Sequence, residues 1–202
     1  MVGKSIGFIL LLLALQKNPV PKSILFYGDS LTAGYGLSID EAFPSIIEKE
    51  LNKGSVKVKA INAGLSGETS AGGLSRIDWV LKQPLDIFVL ELGANDGLRG
   101  LPIDQTRKNL QGIIDKVKQR YPNAKIVMTG MKVPPNMGQK YSSEFQIIYP
   151  ELAKKNNATL MPFLLEGVAG DEKLNQADGI HPTAKGHQII AKNLGNLLVK
   201  LL

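Results

Sequence analysis

From Ser23 onward, short apolar runs alternate with longer stretches whose apolar positions recur at helical spacing. SILFY (23–27) reads as a short strand, and VKVKAIN (56–62) alternates with a strand's two-residue period. DIFVLEL (86–92) is a continuous apolar run, as expected of a strand covered on both faces. KIVMTGM (125–131) and ATLMPF (158–163) supply two more strands. Between them, AFPSIIEKELNK (42–53) predicts a helix with Pro44 in its first turn. SAGGLSRIDWVLKQ (70–83) predicts another, weakened by glycines near its start. QTRKNLQGIIDKVKQRYP (105–122) is the clearest helix. Leu110, Ile113, Ile114 and Val117 share one face, and Pro122 follows its end. SSEFQIIYPELAKKN (142–156) reads as a helix kinked or broken at Pro150. PTAKGHQIIAKNLGNLLVKLL (182–202) closes the chain with Pro182 at its first turn. It should turn Ile190, Leu194, Leu197, Leu198 and Leu201 inward.

Five strands alternating with helices predict an α/β fold, a three-layer sandwich with a parallel sheet between helices. The chain's 202 residues suit one domain, spanning 21–202. Residues 1–20 stand apart: one lysine, then an apolar run from Ile6 to Leu15. Spanning a bilayer takes about 20 residues, so this run is too short to do so. Its length suits the hydrophobic part of an export signal or an N-terminal anchor, which implies a periplasmic protein. Ala14 is the only small residue placed for cleavage, and an apolar extension packed on a cytoplasmic domain is the competing reading.

Composition narrows the chemistry. The net charge of +6 is spread along the chain without a basic run, and only 6% of residues are aromatic. Neither feature suits a nucleic-acid surface. The absence of cysteine removes thiolate nucleophiles and cysteine-type zinc sites. Two histidines, His181 and His187, are the only imidazoles available.

In a parallel α/β sheet, ligands sit beyond the carboxyl ends of the strands. Four segments belong at that edge: Gly28-Asp29-Ser30, Asn62 to Gly67, Gly93 to Asp96, and Asp178 to Pro182. Each has an ordinary structural use. Ser30 could cap a helix, Gly64 and Gly67 could serve a turn, Asn95 could hold a left-handed position, and His181 could lie on the surface. Together they supply the parts of an acyl-transfer site. A serine hydroxyl needs a base within hydrogen-bond reach, and His181 can be that base. Asp178, three residues earlier, can fix the imidazole tautomer. The N–H groups of Ser30 and Gly64 and the Asn95 amide could stabilise an oxyanion.

These blocks, GDSL (28–31), NAGLSG (62–67), GAND (93–96) and DGIHP (178–182), resemble the GDSL, or SGNH, hydrolase family, in the family's order. SGETSAGGLSRI, ELGANDGLRGLP and YPELAKKNNATLMPF further resemble its bacterial thioesterase/protease/lysophospholipase group, and the resemblance runs from about Ser23 to the C-terminus. It implies a flavodoxin-like sheet and cofactor-free, metal-free serine catalysis. Ser30 would be the nucleophile, Asp178 and His181 the acid–base pair, and Ser30, Gly64 and Asn95 the oxyanion donors. The expected substrate is a small acyl ester or thioester, with no nucleic-acid partner. Membrane contact would come only through the substrate or the N-terminal segment. GLRGLP (97–102) and KVPPNMGQKY (132–141) should wall an acyl groove, with Leu98, Leu101, Pro134 and Pro135 as its contacts. Two alternatives stay open: a carbohydrate O-deacetylase using the same residues, and a flavodoxin-like module binding phosphate or flavin on GDSLTAG.

Overall fold

The computed structural model describes residues 20–202, so the export or anchor reading of residues 1–20 falls almost wholly outside the described residues. Five strands form one parallel sheet: β1 (Lys22–Gly28), β2 (Val58–Gly64), β3 (Ile87–Glu91), β4 (Lys125–Thr129) and β5 (Thr159–Met161). Their order is β2-β1-β3-β4-β5. The direction of winding reverses between β1 and β3, and that reversal opens a crevice at the carboxyl edge. The helices are α1 (Ser30–Ala33), α2 (Phe43–Leu51), α3 (Ser70–Val80), α4 (Ala94–Leu98), α5 (Ile103–Arg120), α6 (Gln139–Asn156) and α7 (Ala184–Val199). Among the described residues, none is long and apolar enough to cross a membrane.

Strand alternation divides the core. Phe26 turns toward α2, its ring edge-on to Phe43 at 5.8 Å between centroids, and α2 packs against α7. Tyr27 points to the other face, where its hydroxyl donates to the Gly73 carbonyl of α3 at 2.6 Å. There α3 packs against α5, and α5 against α6. β1 and β3 are buried through most of their length, which explains their nearly unbroken apolar runs. Leu197 and Leu201 pack only half-buried against the core, and Leu201 lies beyond the end of α7.

Two expectations need correction. Pro150 does not break its helix: α6 runs through it and starts at Gln139, before the expected Ser142. The proline is exposed, and the carbonyl it leaves without a helical donor belongs to exposed Gln146, where water can serve it. Phe145, Ile148, Tyr149 and Leu152 anchor the helix on either side. Strand β2 begins at Val58 rather than Val56, because Asn52 clasps Val58. Its Oδ1 accepts from the Val58 N–H at 2.8 Å and its Nδ2 donates to the Val58 carbonyl at 3.0 Å.

Candidate active site

The chain leaves β1 at Gly28 and turns at once into α1. Asp29 caps this four-residue helix, its Oδ1 accepting from the Leu31 N–H at 3.0 Å. Ser30 is thereby raised at the carboxyl edge, and its own N–H has no partner among the described residues. The loop before α7 brings His181 from 151 residues away. Its Nε2 lies 2.9 Å from Ser30 Oγ, and its Nδ1 lies 2.6 Å from Asp178 Oδ2. The other carboxylate oxygen, Oδ1, accepts from the Ile180 and His181 N–H groups, each at 3.0 Å. These backbone donors, with the imidazole, hold the Asp178 pKa down at about 2. The carboxylate is therefore ionised at neutral pH and fixes the proton of His181 on Nδ1, leaving Nε2 to accept from Ser30.

Asn95 opens α4, beside this relay. Its Nδ2 donates to Asp29 Oδ2 and to the Glu68 carbonyl, both at 3.1 Å. The Glu68 loop is itself fixed by a two-point ion pair with Arg76, which also donates to the Ala63 carbonyl and lies over the Tyr27 ring. The Asn95 amide is thus preorganised, with both hydrogens engaged in the absence of substrate. Gly64 is placed differently from the expectation. Its N–H donates to Asn62 Oδ1 at 3.0 Å, and a Cβ there would fall 2.2 Å from the Ala33 nitrogen. Packing of β2 against α1 therefore requires this glycine.

A cavity of about 830 Å³ opens from Ser30 and His181. Leu98 and Pro134 line it, as expected, together with Met131 and Val133. Leu101 does not. It lies in a separate hollow beside Tyr141, whose hydroxyl donates to the Leu101 carbonyl at 2.8 Å. The side chain of Pro135 lies outside the described residues. Part of the wall was missed by sequence reasoning: Phe163, Leu165, Ala169 and Gly170, in the segment after β5. The signal was present, because apolar sequence continues past that strand as PFLLEGVAG. Tyr35 was also missed. Its ring lies on the His181 imidazole at 4.5 Å between centroids.

Beneath Ser30 lies a buried pair of carboxyls. Glu91, at the end of β3, accepts on Oε2 from the Asp29 N–H at 3.0 Å and from Thr32 Oγ1 at 2.7 Å. Its Oε1 has no partner. Burial, then the neighbouring Asp29 charge, push the Glu91 pKa well above the ordinary range. Burial pushes Asp29 up to about 6, opposed by the hydrogen bonds its carboxyl accepts from the Leu31 N–H and the Asn95 amide. Asp96, next to Asn95, is structural: its carboxylate accepts from the Ser70 N–H at 2.7 Å and from Thr106 Oγ1 at 3.2 Å, joining α3 and α5 to α4. His187 is buried against Phe43, whose N–H donates to its Nδ1 at 3.1 Å. Among the described residues, no three His, Asp or Glu side chains gather as a metal-ligand cluster.

A serine, an imidazole and a carboxylate in line at the carboxyl edge of a flavodoxin-like sheet are the layout of an acyl hydrolase. Residues 26–189 match the GDSL-like lipase/acylhydrolase family, and the chain belongs to it. It is 40% identical to an arylesterase of Vibrio mimicus, over 90% of each chain. It is 37% identical to the Escherichia coli (strain K12) thioesterase 1/protease 1/lysophospholipase L1, over 96% of this chain and 92% of that one. The crystal structure of TesA superposes with a TM-score of 0.85 at 36% identity, covering 90% of this chain and all of that one.

Proposed function

We propose that the protein is a serine esterase and thioesterase that cleaves acyl esters or thioesters through an acyl-enzyme on Ser30. The observation that carries this reading is the Asp178–His181–Ser30 relay opening into an apolar cavity. Ser30 Oγ attacks the acyl carbonyl as its proton passes to His181 Nε2. The oxyanion is stabilised by the Ser30 N–H, which has no partner among the described residues, and by the Asn95 amide. To receive the Asn95 hydrogen bond, the oxyanion displaces one existing acceptor. The neutral Glu68 carbonyl competes less strongly than the Asp29 carboxylate. The Gly64 N–H is engaged by Asn62 Oδ1 and Gly64 is not among the residues that line the cavity, so the oxyanion is not assigned to it. Collapse expels the alkoxide or thiolate, which takes the proton from His181. Water, deprotonated by His181, then attacks the acyl-enzyme, releasing the acid and free Ser30.

The acyl chain lies along Leu98, Met131, Val133 and Phe163. This wall favours an alkyl or aryl acyl group over a sugar, which sets the O-deacetylase reading second. The phosphate or flavin alternative is disfavoured at its proposed site. A carboxylate, Asp29, already caps α1, and an anion there would meet its charge. For residues 1–20 we retain the export reading, on their lysine-led apolar run, with the periplasm as compartment.

The test compares wild type with Ser30→Ala on p-nitrophenyl esters from acetyl to palmitoyl and on palmitoyl-CoA. Serine-dependent activity favouring medium or long chains supports the proposal. Serine-dependent activity confined to acetyl moves the reading to the deacetylase.

A further inference from the structure

We propose that Glu91 is a positioning residue for the reaction: as a neutral carboxylic acid it braces the turn that carries Ser30 and, through Asp29, sets the Asn95 amide. This rests on the reading of Ser30 as nucleophile.

The geometry is specific. Glu91 ends β3 directly opposite Gly28, the last residue of β1. A Cβ on Gly28 would fall 2.3 Å from Glu91 Oε2 and 2.1 Å from Thr32 Oγ1. The glycine that precedes Asp29 and Ser30 therefore makes the space into which the Glu91 carboxyl reaches. From there Oε2 holds both flanks of the nucleophile, the Asp29 N–H before Ser30 and the Thr32 hydroxyl after it. Glu91 is fully buried, and no cation pairs with it among the described residues.

An isolated buried carboxylate is costly, and two in contact are costlier. One proton shared by the pair relieves both. Oε2 already accepts twice, so the unpartnered Oε1 is the atom left to carry that proton. Burial and the Asp29 charge both keep the proton on Glu91 at neutral pH, while Asp29 loses its own near pH 6. Asp29 is thus left ionised beneath the serine. It accepts from the Leu31 N–H and the Asn95 amide together. The chain of contacts runs from Glu91 through Asp29 to Asn95, and from Glu91 through Thr32 to the helix that starts at Ser30.

The test is a set of three variants assayed on a medium-chain p-nitrophenyl ester. Rates are expressed per site titrated with an alkyl fluorophosphonate, so that only competent molecules are counted. Glutamine reproduces the neutral acid: its oxygen can accept from the Asp29 N–H and the Thr32 hydroxyl, and its amide carries no charge. Glu91→Gln is expected to keep kcat within about threefold of wild type. Glu91→Ala is expected to lose about tenfold or more in kcat with KM little changed, the cost of a loosened nucleophile and oxyanion donor. Thr32→Val removes one brace and is expected to fall between them, which keeps the test open should the alanine variant fold poorly. Two results overturn the proposal: Glu91→Gln as inactive as Glu91→Ala, or Glu91→Ala and Thr32→Val matching wild type per titrated site and differing only in melting temperature. Failure of the underlying reading looks different, since Ser30→Ala would then retain activity.

Discussion

The Tyr35 ring lies on the imidazole of His181, their centroids 4.5 Å apart and their planes tilted by 36°. The side chain of Gln176 ties the two segments together. Its Nε2 donates to the Tyr35 carbonyl at 2.7 Å and to the Pro182 carbonyl at 3.0 Å. A histidine on an exposed loop thereby keeps one ring orientation. Tyr35→Ala should lower kcat about tenfold by freeing the imidazole, with little effect on KM. Tyr35→Phe should change neither, because the Tyr35 hydroxyl makes no hydrogen bond to a described residue. Steady-state kinetics on one p-nitrophenyl ester separates the two outcomes.

Asn95→Ala should cost about 10²–10³ in kcat, the usual loss for one oxyanion donor. The loop behind it should matter as well. Removing the Arg76 side of the Glu68 ion pair lets the Glu68 carbonyl drift and with it the Asn95 amide. Arg76→Ala should therefore reduce kcat while leaving the Ser30–His181 contact intact. The kinetics of both variants, read beside fluorophosphonate reactivity of Ser30, check this.

His187 should contribute a stability that falls with acid. Unfolded, this imidazole takes a proton near pH 6.5; folded, burial against Phe43 holds its pKa down to about 4. Between those values the unfolded chain binds the extra proton, so the His187 contribution drops as pH falls from 6.5 to about 4, while Asp29, whose folded pKa of about 6 lies above its ordinary 3.8, contributes in the opposite direction over much of that range. The gap corresponds to about 3 kcal/mol, fully present above pH 6.5. His187→Gln, which keeps an acceptor for the Phe43 N–H, should remove this contribution, which is read as the wild-type-minus-variant difference across the window. The Asp178 contribution falls in a separate window, between its ordinary 3.8 and about 2. Denaturant melts from pH 4 to 8 distinguish wild type from variant.

Gly28→Ala should destabilise by about 1–3 kcal/mol, because its methyl would meet Thr32 Oγ1 and the Glu91 carboxyl at contact too close to relax. A Gly→Ala exchange at Gly195, inside α7, where the nearest atom is Ile47 Cγ1 at 4.0 Å, should be far milder. Thermal melts of the two variants measure the difference.

The five strands and the four loops at the sheet edge were legible because each rests on local signals: apolar period, turn glycines, and a polar residue at a strand end. What was not legible depends on contacts between distant segments. Glu91 sits inside DIFVLEL, and one carboxylate in an apolar strand shows its meaning only when Gly28 is seen across from it. The sequence suggests the Gly64 N–H as an oxyanion donor, whereas that N–H meets Asn62 and the bare Cα is required by Ala33, thirty-one residues earlier in the chain. Pro150 signalled a break locally, yet four buried side chains on α6 outweigh one missing N–H. Leu101 and Leu98 are three residues apart, but α4 ends between them and sends their side chains to different hollows.

The most direct test of the account is to treat the protein with an alkyl fluorophosphonate and map the adduct by peptide mass spectrometry. The account predicts a single adduct on Ser30, complete loss of esterase activity, and greatly slowed labelling in His181→Ala. An adduct on another residue, or full activity with Ser30 modified, would contradict it.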